Sequence, residues 1–211
     1  ENCYRRTIAL QPRHADAYNN LGLLLNGMKR FDEAEAACQL AAEIQPANPD
    51  FILRVGLLQL RAGHFADAEI SFQRAIVLKP DFDEAYYGLG FAQKEQGFLE
   101  LAEQSIHHAL LLNKDHAPAL ITLAVIMQRR GRLSEAESAC LAALRLEPQL
   151  AEAHNDLGLT YMLAGRIDEA VQSFMCALEI QPDYTSAFSN LLFAYNYNTL
   201  IPVSCCLEKA R

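Results

Sequence analysis

Cysteine and histidine are the residues of this chain best suited to nucleophilic or metal chemistry, and the sequence contains six of each. Cys205 and Cys206 are adjacent, whereas paired ligands of a structural zinc are typically separated by about two to four residues. The histidines His107 and His108 are adjacent as well, in a stretch with helical periodicity. This spacing favours structural or surface roles, and we expect no metal site.

The sequence also lacks the common signatures of an active site. It has no glycine loop of the kind that cradles phosphate, no HExxH helix and no nucleophile elbow. We therefore expect no catalytic residue and no cofactor, and we expect that this chain is not an enzyme by itself.

A repeat of 34 residues organises the chain. Three columns at this period contain, in turn, a proline, a small residue in the middle of a segment, and an alanine: Pro12, Pro46, Pro80, Pro148 and Pro182; Ala34, Ala68, Ala102, Ala136 and Ala170; Ala41, Ala75, Ala109, Ala143 and Ala177. Within each unit, apolar residues recur every three or four positions in two segments, which predicts two amphipathic helices folded into a hairpin. A glycine in the middle of most units marks the turn, and proline closes the second helix.

Two further columns predict how the hairpin packs. One column, the packing glycines, consists of Gly22, Gly56, Gly90 and Gly158. A side chain at these positions would hold the paired helices apart, and we expect the alanines of the second helix to face them. Cys38 and Cys140 share a column with Phe72, Ile106 and Phe174, which indicates buried, reduced thiols. Such thiols favour a reducing compartment, and we expect a cytoplasmic location.

These columns resemble the tetratricopeptide repeat, and the fifth unit matches it best, through Leu157-Gly158, Tyr161, Gly165, Ala170, Phe174, Ala177 and Pro182. Local departures are Lys29 for the turn glycine, Ala124 for the packing glycine and Lys114 for the closing proline. The resemblance implies an all-α fold, a right-handed superhelical solenoid of antiparallel helix pairs.

The period divides the chain as one solenoid domain: residues 1–14 as the second helix of a truncated repeat, five repeats at 15–48, 49–82, 83–116, 117–150 and 151–184, and residues 185–211 as a partial repeat with a capping helix. This division predicts eleven repeat helices up to about Asn198 and one terminal helix over 203–211. The start within a repeat suggests a piece of a longer protein.

Composition narrows the class of partner. The net charge is −8 and no Lys/Arg cluster occurs, so an electrostatic footprint for nucleic acid or an anionic membrane is missing. No apolar run approaches the roughly 18 residues of a membrane span. We expect neither a nucleic-acid nor a membrane partner.

The resemblance implies that the first helices line a concave face which binds a peptide or a partner protein, as an interaction scaffold. The residues that it places on that face form an apolar ladder, with neighbours and three amides: Leu23, Leu57, Phe91, Val125 and Leu159; Leu53, Tyr87 and Ile121; Asn20, Asn155 and Asn190. Packing of these apolar residues against adjacent helices is the alternative, and self-association stays open.

Two more specific functions follow from parts of the family. A carboxylate clamp for chaperone tails is disfavoured, because Leu23, Leu57 and Glu84 stand where it needs polar or basic groups. The segment 189–197, SNLLFAYNY, resembles the end of the repeats in O-linked N-acetylglucosamine transferase-like and SPINDLY-like proteins. The alternative function is therefore the substrate-recognition arm of such a glycosyltransferase, with its catalytic part beyond Arg211.

Overall fold

The computed structural model describes residues 1–197, and every regular element in that part is an α-helix. The helices are α1 (Asn2–Leu10), α2 (Ala15–Gly27), α3 (Phe31–Ile44), α4 (Pro49–Ala62), α5 (Phe65–Leu78), α6 (Asp83–Glu95), α7 (Leu99–Leu112), α8 (Ala117–Arg129), α9 (Leu133–Leu146), α10 (Ala151–Leu163), α11 (Ile167–Ile180) and α12 (Thr185–Tyr197). The predicted all-α repeat array is confirmed.

The helix count from the sequence was wrong by one. Twelve helices, rather than eleven, lie within the described residues 1–197. Five hairpins account for ten of them, and the isolated helices α1 and α12 are each half of a repeat. The terminal helix expected over 203–211 lies outside the described residues.

The helices group into two compact units, one spanning Glu1–Lys114 and the other beginning at Asp115. In the first unit, α1 packs on α2, and the hairpins α2–α3, α4–α5 and α6–α7 stack in chain order. In the second unit, the hairpins α8–α9 and α10–α11 stack, and α12 packs on α11. The single solenoid domain stays a prediction.

Local backbone chemistry sets where each first helix ends. The turn after α4, α6, α8 and α10 contains a glycine with positive φ, at Gly63 (78°), Gly97 (85°), Gly131 (73°) and Gly165 (77°). Glycine adopts this left-handed conformation readily because it has no Cβ. In the first hairpin, Lys29 takes the same conformation, with φ 61°, at a cost of roughly 1–2 kcal/mol for an L-residue.

The paired helices of a hairpin touch at the packing glycines. In the first unit, a Cβ built on Gly22 would lie 2.4 Å from Sγ of Cys38, and one on Gly56 would lie 2.8 Å from Cε1 of Phe72. In the second unit, a Cβ on Gly158 would lie 2.6 Å from Cε1 of Phe174. The close approach was predicted, but the facing residue was not: a larger side chain of the second helix, rather than alanine, lies against each glycine.

Phe72 also joins two hairpins. Its ring is fully buried, and a Cβ on Gly88 of α6 would lie 2.5 Å from its Cζ. The ring therefore fills the space between α4 and α6, where both helices have a glycine. Buried hydrogen bonds reinforce hairpins two and three, from Ser71 Oγ to Gln59 Oε1 at 2.7 Å and from Ser105 Oγ to Gln93 Oε1 at 2.8 Å.

An arginine at the start of a second helix links it to the repeat before. Arg30 precedes α3, donates from Nε and Nη2 to Glu33 at 2.7 Å, and donates from Nη1 to Glu1, the N-cap residue of α1, at 3.0 Å. Arg166 precedes α11, donates from Nε to Glu169 at 2.7 Å, and donates from Nη1 to Glu137 of α9 at 2.8 Å.

The packing glycines give a matched test within α2. A Cβ on Gly22 would meet Cys38 and the backbone oxygen of Ala34, whereas one on Gly27 would meet nothing within 4 Å. Gly22→Ala is expected to lower the free energy of unfolding by about 1–3 kcal/mol through overpacking. Gly27→Ala is expected to leave it unchanged or to raise it by up to about 1 kcal/mol. Urea unfolding followed by circular dichroism measures both, and equal effects would contradict this packing.

The contact of Arg166 with Glu169 predicts a dependence on pH. The hydrogen bonds from Arg166 lower the pKa of Glu169, so the contribution of this contact to stability is complete above the unfolded value of about 4.3 and is lost as the pH falls through the lowered pKa. The difference in urea midpoint between the wild type and Arg166→Gln is expected to shrink below about pH 4. A difference that stays constant from about pH 7 to pH 3 would contradict a stabilising contact between Arg166 and Glu169.

Candidate partner-binding groove

The first unit contains a groove of about 270 Å³. It is formed mainly by the first helix of each of the three hairpins, namely α2, α4 and α6. Residues from all three repeats line it, and most of them are apolar: Gly22, Leu23, Asn26, Cys38, Arg54, Leu57, Leu58, Leu60, Arg61, Tyr87 and Phe91. Four of the predicted binding residues, Leu23, Leu57, Tyr87 and Phe91, therefore lie together.

The hairpin packing explains why these side chains are available. Leu23, Leu57 and Phe91 each follow a packing glycine, and consecutive helical residues point about 100° apart. When the glycine faces the second helix, the next residue is turned away from that contact. Leu23 is 41% exposed and Leu57 is 39% exposed, although both are large apolar residues.

Two aromatic rings form the α6 side of the groove. Tyr87 and Phe91 are half-buried, and their ring centres lie 6.4 Å apart with the planes tilted by 59°. The ammonium of Lys94 lies 4.0 Å from the centre of the Phe91 ring and 2.8 Å from Oε1 of Glu95. The cation–π contact helps to fix the position of the Phe91 ring, which lines the groove.

Three predicted binding residues are instead buried by the protein itself. Leu53 is 5% exposed and packs with Phe72 and Leu89 in the core of the first unit. Ile121 is also 5% exposed and packs with alanines of α9 and α10 in the second unit. Asn155 is 6% exposed, and its Oδ1 accepts a hydrogen bond from Nδ2 of Asn190 at 3.0 Å. For these positions the structure favours packing over binding.

The remaining candidates are not among the residues that line that groove. Asn20 is exposed on α2 but is not among the residues that line the groove. Val125 on α8 and Leu159 on α10 are half-buried within the second unit.

The sequence did not single out two polar residues of the groove. Arg54 lies at the sixth position of its repeat, where it departs from the asparagine of Asn20 and Asn190. Asn26 lies at the twelfth position, one of those expected to face a ligand, but its repeat neighbours share no residue type. The Nη1 of Arg61 donates to Oδ1 of Asn26 at 2.9 Å across α4 and α2. The pattern of charge along the face of α4 is the signal that would have found Arg54.

Side chains able to bind a metal are dispersed over residues 1–197. That part contains no group of three His, Cys, Asp or Glu side chains able to hold a metal ion. His14 and His116 serve as helix caps, with Nδ1 accepting from the backbone N–H of Ala17 at 3.2 Å and of Ala119 at 3.1 Å. None of the described helices combines the length and apolar character needed to cross a bilayer.

Comparison with known proteins agrees with the repeat. Residues 15–48 and 151–184 match a family model described as tetratricopeptide repeat, and residues 53–110 match a second model with the same description. Together these ranges cover more than half of the chain. The chain belongs to the tetratricopeptide repeat family.

Solved structures show the same fold. YrrB, described as a tetratricopeptide repeat protein with an unusual peptide-binding site, is 22% identical with a TM-score of 0.65, over 88% of this chain and 96% of its own. A thermophilic tetratricopeptide repeat protein of Thermus thermophilus is 23% identical with a TM-score of 0.72, over 86% and 98%. MamA is 27% identical with a TM-score of 0.67, over 81% and 93%. No curated protein matches the sequence.

The buried thiols of this tetratricopeptide repeat protein are expected to be unreactive. Burial raises the pKa of Cys38 to about 11 and that of Cys140 to about 12, whereas Cys3 is exposed. At about pH 8 a thiol with a pKa near 11 is ionised roughly a hundredfold less than an ordinary one, and the thiolate is the reactive form. Iodoacetamide should therefore label Cys3 long before Cys38 and Cys140, as read by peptide mass spectrometry. Equal labelling rates in the folded protein would contradict this burial, and urea-unfolded protein provides the control.

Proposed function

We propose that this chain is an interaction scaffold that binds an extended segment of a partner protein in the groove of α2, α4 and α6. The observation that carries the proposal is the meeting of exposed and half-buried apolar side chains from three successive repeats in one depression. Aromatic and aliphatic anchors of this kind contribute most of the energy of protein interfaces. The peptide-binding site described for YrrB supports the proposal by analogy of fold.

The open shape of the groove, more than its volume, favours a peptide over a small metabolite. Small-molecule sites usually have volumes of roughly 300–1,000 Å³ and are largely enclosed. The groove, at about 270 Å³, extends over three helices. It fits one or two apolar side chains of an extended peptide, with the peptide backbone left at the surface.

The net charge indicates the class of partner, and the free thiols indicate the compartment of this chain. The net charge of −8 favours a protein over a nucleic-acid partner. Free thiols at Cys38 and Cys140 favour a reducing compartment such as the cytoplasm. A second copy of the chain stays a candidate partner.

The substrate-recognition arm of an O-linked N-acetylglucosamine transferase-like enzyme is the alternative, supported by the segment 189–197. Such an arm would hold peptide backbone through asparagine amides. Asn155 and Asn190 bond to each other at 3.0 Å, and the groove is apolar, so we prefer the apolar scaffold. The natural sequence after Arg211 tests the alternative: alternating strands and helices of a doubly wound domain would support it.

The groove is tested by substitution of its anchors. A random peptide-display library is selected on the whole chain, and enriched peptides are measured by fluorescence anisotropy. Leu57→Ala and Phe91→Ala are each expected to weaken binding by about tenfold or more, because anchor truncations cost about 2 kcal/mol or more. The thermal unfolding curve of each variant shows whether the fold is retained.

Matched controls come from the second helices. Val77 on α5 and Leu111 on α7 are 80% and 73% exposed and lie outside the groove. Val77→Ala and Leu111→Ala should leave peptide affinity within about twofold of the wild type. The proposal fails if these controls lose binding while the groove variants keep it, or if no peptide is enriched on the wild type over the Phe91→Ala variant.

A further inference from the structure

The charge that lines the groove is of one sign. Arg54 and Arg61 are its charged lining residues, and no carboxylate lines it. The whole chain has a net charge of −8. The groove lining is therefore locally positive in a protein that is negative overall. A partner with the opposite local charge would be favoured there and attracted to it.

The two arginines lie on one face of α4 with an apolar anchor between them. Arg54, Leu57 and Arg61 occupy helix positions i, i+3 and i+7, which share a face. At about 1.5 Å per residue, the two arginine Cα atoms are separated by about 10 Å along the helix axis. An extended peptide in the polyproline II conformation has three residues per turn and rises about 3.1 Å per residue, so side chains three residues apart share a face about 9 Å apart, close to this spacing.

Both guanidinium groups have donors to spare. Arg61 donates to the neutral amide of Asn26 at 2.9 Å. Arg54 is half-buried and makes no hydrogen bond or ion pair with any residue in the described range 1–197. A guanidinium carries five N–H donors in a planar fork that suits a carboxylate. A bound carboxylate would form charge-assisted hydrogen bonds that the chain itself does not supply.

Arg54 does not donate to Oδ1 of Asn19, although the residue at the equivalent repeat position makes the corresponding hydrogen bond. Asn155 and Asn190 are 35 residues apart, and Nδ2 of Asn190 donates to Oδ1 of Asn155. Asn19 and Arg54 hold the same two repeat positions, yet the buried Oδ1 of Asn19 has no hydrogen-bond partner. Arg54 lines the groove instead.

We infer that the groove recognises an acidic linear segment of a partner protein, in which a bulky apolar residue is flanked by carboxylates about three residues apart. The apolar side chain packs on Leu57 and the rings of Tyr87 and Phe91. One carboxylate accepts from Arg54 and the other from Arg61. This inference rests on the proposed function and specifies the chemistry of its partner.

The requirement for an apolar anchor separates this ligand from other anions. Phosphate groups of a nucleic acid would pair with the arginines and a base would stack on an aromatic ring, but the leucines of the groove would be left unmatched and the net charge of −8 would oppose binding. An acidic peptide meets both parts of the lining.

The first experiment reads the consensus of the peptides selected on the wild-type chain. We expect Asp or Glu on both sides of a Leu, Ile, Phe or similar residue. An enriched acidic peptide is then compared with its Glu→Gln version on the wild type, Arg54→Glu, Arg61→Glu and the control Arg74→Glu. Arg74 is exposed on α5 outside the groove, and its substitution makes the same change in charge.

Arg54→Glu and Arg61→Glu are each expected to weaken the acidic peptide by about tenfold or more, since hydrogen bonds to charged groups contribute about 1.5–3 kcal/mol. Arg74→Glu should change the affinity by less than about twofold. A Glu→Lys version of the peptide should bind Arg54→Glu better than it binds the wild type. This rescue separates direct pairing from a structural effect of the substitution.

Three outcomes would overturn the inference. If neutral or basic peptides are selected and lose affinity in Leu57→Ala but not in Arg54→Glu, the acidic partner is wrong and the groove stands. If neither substitution changes binding, the proposed function falls as well. If a labelled single-stranded oligonucleotide binds the wild type and loses affinity in Arg54→Glu while no acidic peptide does, the partner is a nucleic acid.

Discussion

The contact on which the structure depends is the close approach of two helices at a glycine. At Gly22, Gly56, Gly90 and Gly158 the space of a Cβ is filled by a side chain of the second helix. Protein interiors are packed almost without voids, so this contact fixes both the distance between the helices and their rotation about their own axes. Ala124, the departure in the fourth unit, lies with Cys140 in one cluster, where a small partner leaves room for a methyl group.

That rotation couples stability to function. The residue that follows the glycine is turned away from the second helix in these hairpins, so a ladder of leucine and phenylalanine side chains reaches the surface as a by-product of packing. An exposed leucine is ordinary by itself, but several in one depression mark a surface for association. The same glycine column that closes the hairpins therefore positions Leu23, Leu57 and Phe91 in the groove.

The starts and ends of the helices were predictable because their sequence signals are local. Pro49 lies in the first turn of α4, Gly63 ends it, and neither depends on a distant residue. Burial was less predictable, because it depends on what packs alongside. Leu53 and Tyr87 share one repeat position, yet Leu53 lies in the core and Tyr87 lines the groove. The period describes the backbone that both share, whereas side-chain size and neighbours decide their exposure. Arg54 was missed for a related reason. Its role depends on Leu57 and Arg61, which share its face of α4 but occupy different repeat positions, so comparison of equivalent repeat positions does not reveal it.

The ring of Phe72, placed between glycines of two different hairpins, has a consequence for cooperativity. In linear repeat arrays, stability is approximately the sum of each repeat's own term and nearest-neighbour coupling terms. One shared ring raises the coupling between hairpins two and three, since neither can open without exposing it. The helices α4 and α6 thus belong to a single cooperative segment. A ligand that touches both meets a surface already ordered, so little conformational entropy opposes its docking.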